Sequence, residues 1–81
     1  MKKYRLSGMA FSTLQKVDLS ELNDMVLMEH SECVIYTDNL RLLLIVLNEE
    51  ISIKGMDIYQ QNINSYGKNL YELYDELIAQ K

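Results

Sequence analysis

His30 and Cys33 are the only histidine and the only cysteine of the chain, and they stand three residues apart with Glu29 and Glu32 beside them. Imidazole, thiol and carboxylate at short spacing are the raw material of a metal centre or of a Cys–His nucleophilic pair. A zinc site needs three or four such ligands, most often His and Cys, and no second residue of either kind exists to complete one. On a strand, residues three apart also point to opposite faces, so a thiol–imidazole pair would require a bulge at Ser31. The expectation is a strand-end histidine and a small buried thiol, with no metal and no cofactor. Paired carboxylates occur at Glu49-Glu50 and Asp75-Glu76. General acid–base work needs two carboxyl groups held across a cleft in different environments. Adjacent acids in a turn and on a helix surface are expected to be solvated instead. The sequence has no phosphate-binding glycine loop, nucleophile elbow or zinc motif, so no catalytic residues are assigned and an enzyme is not expected.

Whatever the chain does, 81 residues must position it as a single domain, 1–81. With no proline and three glycines there is no candidate interdomain linker. The start Met1-Lys2-Lys3 runs into Tyr4-Arg5 rather than an apolar core, which does not read as a signal peptide. No segment has the length of a membrane span, and a lone cysteine fits a reducing compartment, so a cytoplasmic protein without membrane insertion is expected. A net charge of −4 with scattered basic residues argues against direct nucleic-acid binding.

The run Leu40–Leu47 (LRLLLIVL) is apolar on both sides of a two-residue alternation. It reads as a central strand covered on both faces, flanked by turns at Asp38-Asn39 and Asn48-Glu49. Met25–His30 and Glu32–Thr37 read as the strands before it. Ile51 and Ile53, alternating with Ser52 and Lys54, read as a half-buried strand after it, and Asp57–Ile63 as a final polar one. Lys3–Phe11 is a candidate edge strand. Ser12–Asn23 looks helical, with the capping-box pairs Ser12/Gln15 and Asp18/Glu21. Leu70, Leu73, Tyr74, Leu77 and Ile78 recur at helical spacing, which predicts a C-terminal helix after a loop at Asn64–Gly67, with Asn69 and Glu72 as its cap. The fold class expected is α+β: an antiparallel β-meander of four to five strands with a C-terminal amphipathic helix packed on it.

Four of the six tyrosines, Tyr59, Tyr66, Tyr71 and Tyr74, fall in the last third of the chain. Tyrosine gives large contact area at low entropy cost and is enriched at interfaces. Tyr74 lies on the apolar stripe of the C-terminal helix and Tyr71 off it. Glu72, Asp75 and Glu76 lie opposite the stripe, and two of them stand near the helix C-terminus, where negative charge is unfavourable to the macrodipole. Tyr71, Glu72, Asp75 and Glu76 are therefore the candidate partner-binding residues, with solubility as the competing role of the acids.

The stretch Val26–Ile63 resembles the YabP/YqfC family of small sporulation proteins of endospore-forming Firmicutes. The matching elements are Val26-Leu27-Met28-Glu29-His30, Val34-Ile35-Tyr36-Thr37-Asp38, the apolar Leu42–Leu47, and Ile51-Ser52-Ile53-Lys54-Gly55 followed by Met56-Asp57-Ile58. The resemblance implies a non-enzymatic, β-rich protein of the mother cell working beside a membrane-bound partner. Lys68–Lys81, helical and without glycine, departs from the family's further strand. The function expected is a cytosolic protein–protein interaction or regulatory module, with a protein partner and a homodimer among the assemblies left open. The alternative is a small acidic inhibitor encoded by a phage or mobile element, blocking a basic channel on its target.

Overall fold

A computed structural model describes residues 1–56 and 63–81, the side chains at positions 23 and 24 excepted. The order along the chain is β1 (Lys2–Arg5), α1 (Gly8–Gln15), a 3₁₀ segment (Ser20–Met25), β2 (Val26–Glu29), β3 (Val34–Thr37), α2 (Leu40–Lys54) and α3 (Ser65–Ala79). The class is α+β and a helix closes the chain, as expected, but the four- to five-stranded meander is not found among the described residues. The described residues form one antiparallel sheet of three strands in the order β1-β3-β2. Helix α3 packs chiefly on α1 and α2.

The largest correction concerns Leu40–Leu47, which forms the first two turns of α2 rather than a strand. Leucine is among the strongest helix formers, and the run holds only two β-branched residues, Ile45 and Val46. Its apolar pattern also continues in helical phase: Leu40, Leu43, Leu44, Leu47 and Ile51 are all buried, at i, i+3, i+4, i+7 and i+11. Asn39 is the N-cap rather than a hairpin residue, its side chain accepting a hydrogen bond from the Leu42 N–H at 3.2 Å. Asn48-Glu49 lies in mid-helix, and Ile51 and Ile53, read as same-face strand residues, are respectively buried and exposed. The final strand expected at Asp57–Ile63 lies outside the described residues except for Ile63, which makes an isolated antiparallel bridge with Met56.

Elsewhere the hairpin β2–β3 stands where the alternation placed it, turning through residues 30–33. The edge strand is shorter than expected. Ser7 stops it by accepting from the Ala10 N–H at 3.1 Å, so Gly8–Phe11 belongs to α1 and Ser12 lies inside that helix. Tyr4 and Ile35, facing partners in the β1–β3 register, join Phe11, Leu14, Leu43, Leu47, Leu70, Leu73 and Leu77 in one core.

Helices α2 and α3 run antiparallel. At one end Gly55, after α2, meets Gly67 in the first turn of α3: a Cβ on Gly55 would lie 2.9 Å from the Gly67 Cα. Asn64 ties this end together. It caps α3 by accepting from the Gly67 N–H at 2.8 Å and donates to the carbonyls of Lys54 and Met56 at 2.9 and 3.2 Å. The helix therefore starts at Ser65, inside the expected loop, and Asn69 is not its cap. At the other end Gln80 closes the free edge of β1: its carboxamide accepts from the Arg5 N–H at 2.7 Å and donates to the Arg5 carbonyl. An exposed strand edge is a template for unwanted pairing, and here a side chain occupies it.

Candidate protein-interaction surface

Hairpinning α2 against α3 buries one stripe of each helix and leaves a seam between them open to solvent. The seam is a groove of about 450 Å³ lined by Arg41, Leu44, Ile45 and Asn48 from α2 and by Tyr74, Ile78 and Lys81 from α3 and the chain end. Its apolar residues are large and only part-covered: Ile45 is 46% exposed and Ile78 39%. Tyr71, 42% exposed, extends the stripe Tyr71–Tyr74–Ile78 at i, i+3 and i+7. A second shallow depression, between Ile45 and Ile53, continues it along α2. Ile45, Tyr74 and Ile78 thus give the groove an apolar lining, with Arg41 and Lys81 at one end.

The four candidate residues on α3 are not brought together. Tyr71 borders the seam, Asp75 lies on its flank and Glu72 on the solvent side, all three exposed. Glu76 faces the other way and is half-buried, its carboxylate accepting from the Ser7 N–H and the Ser7 hydroxyl, both at 2.8 Å. This offsets its unfavourable place near a helix C-terminus, because it ties α3 to Ser7, the N-cap of α1. Glu76→Ala is expected to lower stability by about 1–2 kcal/mol, the scale of a lost cap plus a charge-assisted hydrogen bond, read as a fall in the denaturation midpoint with unchanged slope.

Glu50, read as a solvated turn carboxylate, is buried in α2. It accepts from the Tyr66 hydroxyl at 2.8 Å and lies 3.7 Å from the Lys54 ammonium. Burial, and then the bond to Glu50 and its charge, push the Tyr66 hydroxyl above its ordinary range. The group stays neutral and donating, a structural strut between α2 and α3 rather than an acid–base pair.

His30 and Cys33 stand at the two ends of the turn at residues 30–33. Cys33 takes a left-handed backbone (φ 55°), while the His30 ring packs edge-on against Phe11 at 5.3 Å and bonds the Gln15 amide at 2.8 Å. Ser31 bonds Glu29 through its hydroxyl (2.6 Å) and its N–H (3.0 Å), which holds the Glu29 carboxyl below its usual range. No group of three or more His, Cys, Asp or Glu side chains converges to hold a metal among the described residues. No helix is long and apolar enough to cross a membrane among them either.

Comparisons with protein-family models, with curated proteins and with solved structures find no match to this chain. The residues that carried the sporulation-family resemblance at 42–55 form a single helix, so that part of the match does not correspond to successive strands. Of the seam residues, Arg41 and Ile45 were not singled out by the sequence, and Ile78, read as part of the apolar stripe, is exposed. A helical phase carried from Leu40 through Ile51 would have exposed Ile45.

Proposed function

We propose that this chain is a non-catalytic protein-interaction module whose docking surface is the α2–α3 seam. One observation carries the proposal: Ile45, Tyr71, Tyr74 and Ile78 form an apolar strip left open by two packed helices and bordered by Arg41 and Lys81. Interface cores favour aliphatic and aromatic side chains with a charged rim, which is this composition. An accessory role in a sporulating cell is part of the same proposal. It rests on the resemblance over Val26–Ile63, and the genes beside this one would bear on it directly.

The docking proposal is tested by Ile45→Asp with Ile78→Asp. Both side chains are substantially exposed in the single chain, so the double variant is expected to fold and to melt cooperatively. Loss of a partner retained by the wild type, by a variant that still melts cooperatively, supports the proposal. Retention of every partner by a folded double variant overturns it.

A further inference from the structure

We infer that the occupant of the seam is a second copy of this chain, paired about a two-fold axis so that the two helical hairpins form a four-helix interface. The inference rests on the seam being a docking surface and adds what docks there. The charges on the exposed side of the hairpin are segregated by end. Arg41 at the start of α2 and Lys81 after α3 lie together at one end of the seam, and no carboxylate lines that groove. Along α2, Arg41, Ile45 and Glu49 follow one another at i+4 steps on one exposed face. Along α3 the exposed acids Asp75 and Glu72 lie progressively further from Lys81. At ~1.5 Å per helical residue, Glu49 stands about 12 Å from Arg41 and Glu72 about 14 Å from Lys81. Each helix therefore carries its cation at one end and its acid about two turns along, with exposed isoleucine between.

A closed dimer requires a surface that complements itself under a two-fold rotation. Turning one hairpin end for end over the other sets Arg41 and Lys81 of each copy against the acidic end of its partner. The axis then passes near Ile45, midway between Arg41 and Glu49, so the most apolar part of the seam meets itself at the centre. Lys54 and Lys68 are also exposed at the acidic end; Lys54 pairs with Glu50 at 3.7 Å, which leaves three carboxylates (Glu49, Glu72 and Asp75) against Lys68 there. None of Arg41, Lys81, Glu49, Glu72 or Asp75 is in an ion pair among the described residues. Arg41 also opposes the macrodipole, standing in the first turn of α2, where a cation is unfavourable. Helix stability therefore does not account for it, whereas a carboxylate across a dimer interface does. A small domain that buries a limited core also gains most from such an association.

The test is sedimentation equilibrium of the full chain from micromolar to submillimolar concentration, at low and high salt, with circular dichroism melts as the fold control. The wild type is expected to sediment at twice the chain mass, with weaker association at high salt. Arg41→Glu removes the unfavourable N-terminal cation, so the helix is retained, yet it places like charges together at two symmetry-related contacts. Its dissociation constant is expected to rise at least roughly tenfold. Arg41→Glu combined with Glu49→Arg restores the opposite pairing and should restore the dimer. A wild type that is monomeric throughout overturns the inference, as does a folded Arg41→Glu that dimerises like the wild type or a double swap that does not recover. If the monomer still cross-links another protein through position 45, the docking reading survives and only the second-copy inference falls. A monomer with no seam-dependent partner removes both.

Discussion

Leu47→Asp is expected to leave the chain unfolded, while Ile45→Asp, two residues away, is expected to fold and to melt cooperatively. Leu47 has no solvent exposure and lies among the buried residues of the common core. An ionised carboxylate there has neither water nor a partner and costs several kcal/mol. A domain of this length has roughly 4–12 kcal/mol of stability in all, from about 0.05–0.15 kcal/mol per residue. Ile45 is nearly half exposed, and a carboxylate there keeps much of its hydration. A strand buried on both faces would make the two substitutions equally damaging. The contrast, measured by thermal melts followed in circular dichroism, therefore discriminates helix from strand over Leu40–Leu47.

The second large effect is expected from one methyl group. Gly67→Ala would place its Cβ against the Gly55 carbonyl, 2.9 Å from the carbonyl carbon and 2.5 Å from the Ile63 Cγ1. The Ile63 side chain can rotate away, but the backbone of Gly55 cannot, because its carbonyl also accepts from the Asn64 N–H at 2.9 Å and its own N–H bonds Ile51 at 2.9 Å. The hairpin must open at this end or shift along its length. Overpacking of this kind costs about 1–3 kcal/mol and sometimes more. At the upper value a domain of this size loses on the order of 12–24 °C in melting temperature. Gly8→Ala is the control, since nothing lies within 4 Å of a Cβ there.

Part of this architecture was legible in the residues. The alternation of Val34 to Thr37 and the spacing of Leu70, Leu73 and Leu77 each have one period, and each element appears where that period placed it. The middle of the chain was not legible in the same way. In LRLLLIVL nearly every position is apolar, so a two-residue and a 3.6-residue period fit equally well within eight residues. The decision came from outside the run, from Asn39 capping the helix and from Ile51 and Gly55 prolonging and ending it. Asn39 was ambiguous because the side chain that stabilises a turn also caps a helix. Ser7, which caps α1, had the same ambiguity.

The candidate surface was legible in kind but not in place. Tyr71 and Asp75 border the seam, whereas Glu76 is occupied by Ser7, 69 residues earlier in the chain. No local pattern announces a partner so distant in sequence. Ile45 and Arg41 were hidden by the strand assignment, since in a two-sided strand every aliphatic is core. Glu50 was hidden because its partner Tyr66 belongs to the following helix.

The docking role of the seam is tested most directly by photo-crosslinking from single positions in native lysate. A photoreactive side chain is placed at Ile45 or at Ile78, both in the seam, or at Ser12, exposed on α1. Specific protein adducts, this chain included, are expected from positions 45 and 78, with none from position 12. The adduct from position 45 should disappear when Ile78→Asp is added. Adducts of equal yield and identity from all three positions, or none from the seam while position 12 reacts, would contradict the account.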